Sequence, residues 1–334
     1  CVPSLFTPSQ DPCPEEDETP DPCSFTQPLN FLGIPRQTIL DTYYALLLTN
    51  ISPEFVRNQP QVLDFMKGPI ALAVFCPQKW SGLKGIPPLQ LEFGDQLPRR
   101  LRTAVRTVRP VLLEPAHKEY LRLRKYMYVI SNSPITSPLV IAPKPNTLES
   151  VRFCGDYTFI NLFILFMQNY IPNVLHELNK AAMGNFFLDF DMKNAFHQIL
   201  LAEQTSNNLS VLTPWGNVRP LFMPEGISPA SGILNSIMSE IFKSETDHTI
   251  VIFDNFLVTS QSYRDCFEKL VKFVTICAQR NVILGMSKTK IGFDNATFFG
   301  YLIKDNTYSM TDARKKSVTS LAMPTTLKQV QSFL

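Results

Sequence analysis

Apolar residues in this chain fall into two kinds of run. One kind is short and nearly unbroken: Leu139-Val140-Ile141-Ala142, Phe186-Phe187-Leu188 ahead of Asp189-Phe190-Asp191, and Ile250-Val251-Ile252-Phe253 ahead of Asp254. Short apolar runs bounded by turn formers read as buried strands. The other kind recurs at spacings of three and four. Leu112, Leu113, Ala116, Tyr120, Leu123 and Met127 predict a helix from about Pro110 to Tyr128. Ala230, Ile233, Leu234, Ile237, Met238, Ile241 and Phe242 predict another, opened by Ser228-Pro229, because proline in the first helical turn gives up no hydrogen bond. Further helices are expected over 38–48, 171–183 and 263–281, and further strands over 151–154, 291–293 and 298–303. A hairpin is expected to join 209–213 to 218–223, and a second to turn on Asp254-Asn255. Strands and helices alternate without regular βαβ units, so the expected fold class is α+β rather than a doubly wound sheet.

Composition and charge divide the chain. Residues 1–30 hold seven prolines and six acids with no Lys or Arg, the signature of a disordered acidic leader. Residues 31–90 are mixed and punctuated by proline, and read as a linker or accessory region without assignable chemistry. Between Arg99 and Lys125 nine Lys or Arg face only Glu114 and Glu119; a phosphate-contacting surface and an ordinary solvated helix face fit that stripe equally. Net charge is only +2, so partners are not decided by the total. Seven scattered cysteines without a C-x-x-C pair argue against a disulfide framework and a zinc module, and fit reduced thiols in an intracellular protein. No apolar run approaches the ~20 residues of a membrane span, and no signal peptide opens the chain. A start on Cys1 and a stop at Leu334 inside a helical pattern suggest a piece of something longer.

The chemistry centres on the two aspartate-bearing runs. A carboxylate ending an apolar strand is costly to desolvate without a cation. Magnesium takes one or two protein carboxylates and completes its shell with phosphates and water, and two such ions serve phosphoryl transfer. Asp191 and Asp254 suit that task if their strands lie side by side. Read singly, Asp254-Asn255 is equally a hairpin turn and Asp191 equally a helix cap.

The order of the motifs resolves more. Ser131-Asn132-Ser133-Pro134-Ile135-Thr136-Ser137-Pro138-Leu139-Val140, Arg152-Phe153-Cys154-Gly155-Asp156-Tyr157, Phe190-Asp191-Met192 through Phe196-His197-Gln198-Ile199, Met223-Pro224-Glu225-Gly226-Ile227, Ile252-Phe253-Asp254-Asn255, Phe298 to Ile303 and Gln329 to Leu334 follow one another. In that order they resemble the blocks of reverse transcriptases from gypsy-type long-terminal-repeat retrotransposons (Metaviridae) and retroviral Pol. The resemblance implies a right-hand polymerase, with fingers and palm over 91–310 and a thumb that begins at 311 and is cut short at 334. It implies an RNA-directed DNA polymerase that joins deoxynucleoside triphosphates to a primer on an RNA or DNA template. Asp191 and Asp254, with the carbonyl of Met192, would hold two Mg2+ ions, with Mn2+ as a substitute. Lys144 and Arg152 would meet the triphosphate, Phe196 the sugar, and Glu225-Gly226 would lie beside the nucleotide. His197 and Gln198 receive no chemical role, a buried, hydrogen-bonded His being expected. The implied setting is a polyprotein or larger assembly, in cytoplasm, virus-like particle or nucleus.

Two positions depart from the family pattern. Asn255 stands where a second aspartate is usual. It is counted with Asp191 and Asp254 among the catalytic residues, its amide oxygen able to coordinate or orient a ligand with one negative charge fewer. Glu225 replaces an apolar or amide residue beside the nucleotide. Asp189, two residues before Asp191 and so on the same strand face, is a candidate source of compensating charge. A catalytically inactive relative, serving as a nucleic-acid-binding or structural scaffold, stays open as the alternative function.

Overall fold

Prolines decide where the first elements begin. The computed structural model describes residues 29–320, apart from 102, 145, 146 and 166–171, with a few positions beyond 320. It opens with four helices, Arg36–Asn50 (α1), Pro53–Asn58 (α2), Gln61–Lys67 (α3) and Pro69–Phe75 (α4). Pro53 and Pro69 are first helical residues and Pro60 immediately precedes α3, so each proline starts a helix where its missing N–H costs nothing. There follow Pro110–Arg124 (α5), Tyr128–Ile130 (β1), Ser137–Pro143 (β2), Val151–Gly155 (β3), Val174–Ala181 (α6), Phe186–Asp191 (β4), Glu203–Asn208 (α7), Val211–Thr213 (β5) and Gly216–Pro220 (β6). The remainder is Ala230–Ile241 (α8), Thr249–Ile252 (β7), Asn255–Ser260 (β8), Tyr263–Arg280 (α9), Lys290–Phe293 (β9), Ala296–Phe298 (β10), Tyr301–Lys304 (β11), Thr307–Met310 (β12) and Asp312–Thr319 (α10).

These strands make three sheets, ordered β1-β6-β5-β2-β3, β7-β8-β4-β9 and β10-β11-β12. The four-stranded sheet is antiparallel throughout. It puts the two aspartate-bearing runs in neighbouring strands. Helix α9 lies on it, with Phe273 stacked on Phe190 and on Phe242 at ring-centroid distances of 4.7 and 4.8 Å. The helices α1–α4 share this core: Tyr43, Leu47, Phe55, Val62, Met66 and Val74 are buried in the same cluster as Leu188, Phe190 and Phe256. Fully burying such side chains contributes about 1.5–3 kcal/mol each.

Several sequence expectations shift in detail. Leu113 is 48% exposed, so the buried stripe of α5 runs through Leu112, Ala116, Tyr120 and Leu123 instead. The hairpin over 209–223 closes on Pro214-Trp215 alone, with Thr213 paired to Gly216. The expected strand 298–303 is two strands, because Phe299 and Gly300 both adopt positive φ in a tight turn. Of the expected helix 171–183, Val174–Ala181 is helical and Ile171 lies outside the described residues. The acidic leader up to residue 28 and most of 321–334 also lie outside them. Among the described residues no helix is long and apolar enough to cross a membrane.

Candidate active site

Asp191, the last residue of β4, lies opposite Asn255, the first residue of β8. Asn255 also pairs with Ile252 of β7, so the hairpin turns on Phe253-Asp254, one residue earlier than expected. Phe253 has φ +56° and Asp254 does not have a positive φ, the pattern of a type II′ turn, which normally wants glycine at its first central position. A bulky residue there costs about 1–3 kcal/mol and must be held by its surroundings. Asn235 Oδ1 accepts a hydrogen bond from Phe253 N at 3.1 Å, and the Phe253 ring packs on the cluster containing Ile250, Ile252 and Leu257. Met192 N donates to the Asp254 carbonyl at 2.8 Å, which ties the end of β4 to the turn. Both carboxylates therefore stand at one edge of the sheet, and both line a cleft of about 730 Å³.

The charges in this cleft are unevenly balanced. Lys288 Nζ donates to Asp191 Oδ1 at 2.9 Å, and that bond, with the fields of Asp191 and Asp254, raises the Lys288 pKa. Burial raises the pKa of Asp254, the Asp191 charge adds to the rise, and Lys288 opposes it. Asn255 turns its amide nitrogen toward its neighbour, donating from Nδ2 to Asp254 Oδ1 at 3.0 Å. It thus acts as a hydrogen-bond donor where a second carboxylate would repel. Asp189 shares the strand face of Asp191 and lies in register with Lys290. Burial, and then the Asp191 charge, push its carboxyl up to about 7, so it supplies only part of a negative charge near neutral pH. Among the described residues no group of three or more His, Cys, Asp or Glu side chains is arranged to hold a metal. The donor set is two carboxylates at one open cleft, which fits a magnesium ion that draws its other ligands from phosphate and water.

Arg152, Met192, Phe196 and Glu225 line the same cleft as Asp191 and Asp254. Met192 is 3% exposed, with its N–H engaged by the turn. Phe196 sits in a short 3-10 turn and packs partly against the core. Glu225 is exposed and accepts a hydrogen bond from Cys154 Sγ at 3.8 Å. Gly226 has φ +96°, and its carbonyl accepts from Asn161 Nδ2 at 2.9 Å. Lys144 is the outlier. It lines an adjoining groove shared with Arg152 and Glu225 and is absent from the lining of the main cleft. His197 is hydrogen-bonded to Tyr126 through Nδ1 at 3.3 Å, and burial pushes its pKa down to about 4, so the imidazole is neutral.

Two features escaped sequence reasoning. Lys288 lies 97 positions from Asp191, and its only sequence signal is its alternation with Lys290 before a strand. The second is the wall formed by α1, whose Thr38, Ile39, Thr42, Tyr43 and Leu46 line the same cleft as the two aspartates.

The family model described as reverse transcriptase (RNA-dependent DNA polymerase) matches residues 120–303. The chain belongs to the reverse transcriptase family. It is 26% identical over 208 residues to the Pol polyprotein of transposon 297 from Drosophila melanogaster, an alignment covering 61% of this chain and 20% of the polyprotein. It is 23% identical over 326 residues to the Gag-Pol polyprotein of Woolly monkey sarcoma virus, covering 90% of this chain and 19% of that one. It thus spans about a fifth of these relatives' length. A solved foamy viral protease-reverse transcriptase in complex with double-stranded DNA superposes with a TM-score of 0.73 at 18% identity, covering 94% of this chain and 53% of that one. The shared fold is the retroviral reverse transcriptase fold.

Proposed function

We propose that this chain is the polymerase core of an RNA-directed DNA polymerase from a retroelement Pol polyprotein. The observation that carries the reading is the β4–β8 register, which brings Asp191 beside Asp254 at the edge of one cleft. Asp191 and Asp254 would hold the divalent cations. When bound, these ions supply activation of the attacking oxygen and stabilisation of the leaving one. The protein's own residues do the rest. Arg152 meets the negative charge of the triphosphate, which grows in the transition state, and Lys144 adds a second cation from the adjoining groove. The Phe196 ring supports the sugar and leaves no room for a 2′-hydroxyl. Glu225 and Gly226 border the nucleotide, and Lys288 keeps two neighbouring carboxylates tolerable when no ion is present. The basic stretch Arg99–Lys125 tracks template and primer phosphates in a salt-dependent manner.

The test is primer extension on an RNA template in Mg2+ and in Mn2+. Native chain should extend the primer, Asp254→Asn should abolish extension, and Asn255→Asp should enhance it. An Asp254→Asn variant as active as the native chain would remove the proposal. A second reading, a relative that binds nucleic acid without extending it, is favoured by one observation: Asn255 spends its amide on Asp254 and brings no ligand charge. That reading expects template–primer retention with no nucleotide addition in either metal.

A further inference from the structure

Asn50 closes α1 and is 4% exposed. Its side chain makes two bonds that leave the helix. Nδ2 donates to the Met286 carbonyl at 2.7 Å, and Oδ1 accepts from Lys290 Nζ at 3.0 Å. The flanking backbone reinforces the link: Ile51 bridges Ile291 in parallel, Ser52 N donates to the Ile291 carbonyl at 2.9 Å, and Leu284 N donates to the Val74 carbonyl at 3.2 Å. The segment 284–291 is therefore gripped at both ends by the N-terminal helices. This same segment reaches the candidate active site. Gly285 N donates to the Asp191 carbonyl at 2.8 Å, Lys288 Nζ donates to its carboxylate, and buried Thr289 closes the turn through Oγ1 to the Gly285 carbonyl at 2.9 Å.

A buried amide with both ends satisfied adds definition to a loop that an apolar side chain of similar volume would leave free to shift. We propose that Asn50 is a positioning residue for nucleotide addition. It sets the 284–290 loop so that Lys288 and the Gly285 amide hold Asp191 in place, which makes the N-terminal helical unit part of the catalytic apparatus. The proposal rests on the reading of Asp191 as a cation-holding residue given above. It does not rest on any role for Asn50 in contact with substrate.

The experiment compares the full native chain with Asn50→Ala, and with Ser52→Ala, which removes the Oγ acceptor for Phe55 N at the start of α2 and weakens the same unit without touching the loop. In hydrogen–deuterium exchange, Asn50→Ala should speed exchange about tenfold or more across 284–291 and at 191–193, with 36–47 unchanged. In primer extension it should lower kcat about tenfold while leaving the KM for template–primer unchanged, and Ser52→Ala should do neither. Should Asn50→Ala fail to fold, Lys290→Gln removes one of the two bonds with Asn50 intact and is expected to give the same two signatures in weaker form. Exchange that rises equally over 36–75 and 284–291, or a kcat no lower than that of Ser52→Ala, would overturn the proposal. If the native chain extends no primer, the functional reading falls, yet an unchanged 284–291 exchange map in Asn50→Ala would separately overturn the tether.

Discussion

The four-stranded sheet and the N-terminal helices bury comparable side chains in one core, yet they are built by opposite means. In the sheet, β4 is paired on both sides and its apolar run is interrupted only by Asp189. Position along the strand decides almost everything there. In the helical unit, α2, α3 and α4 are only six or seven residues long, too short to persist alone in water. Each exists because it docks. Phe55 on α2 is fully buried, and its ring lies where a Cβ at position 292 of β9 would be, within 2.3 Å. Gly292 also has φ +72°, so the sheet has yielded a side chain to admit the helix. A region without strong local signals can thus be as integral as one with them, provided the partner surface is shaped for it.

If the two regions are one cooperative unit, Phe55→Ala should cost about 3–5 kcal/mol and Leu188→Ala about 2–5 kcal/mol, both moving a single unfolding transition. A separate low-temperature transition in the Phe55 variant alone, read by calorimetry, would divide the unit from the sheet. Gly292→Ala comes next. The clash with Phe55 and the left-handed backbone together are expected to cost about 2–3 kcal/mol, and a variant as stable as the native chain in denaturant titration would show that the docking is loose. Ser52→Ala should cost about 1 kcal/mol, the usual value of a helix cap, and only a more substantial loss would make α2 a keystone. The smallest effect concerns the sheet's far side. Glu245 is 2% exposed and paired with Lys272 and His248, and although burial opposes it, these partners hold its pKa below the ordinary 4.5. Its folded pKa lies below the unfolded one, so its contribution is present above pH 4.5 and lost as pH falls through the folded value. Glu245→Gln should flatten that acid limb in a pH series of thermal melts.

Much of the four-stranded sheet was legible because its signals are local. Phe186–Asp191 and Ile250–Asp254 announce strands by their nearly unbroken apolar character, and the motif order joined them into one site. The turn at Phe253-Asp254 was misplaced by one residue because Asp-Asn is itself a good turn pair, and the deciding partner, Asn235, lies 18 positions away. The helical unit was unreadable for a related reason. Asn50 and Met286 are 236 positions apart, and neither residue type signals a long-range partner. Gly292 reads in sequence as a weak point in a strand, and only the position of Phe55 explains it. Lys144 was assigned from the resemblance, and it lines the adjoining groove instead of the main cleft.

The bond from Asn255 to Asp254 bears on how the hairpin carries its charge. A paired-aspartate turn crowds like charges and leans on metal for relief, whereas here the neighbouring amide already satisfies one carboxylate oxygen and Lys288 answers the other acid. The hairpin therefore carries its own counter-charges, and its shape does not wait on a bound ion to relieve like-charge repulsion.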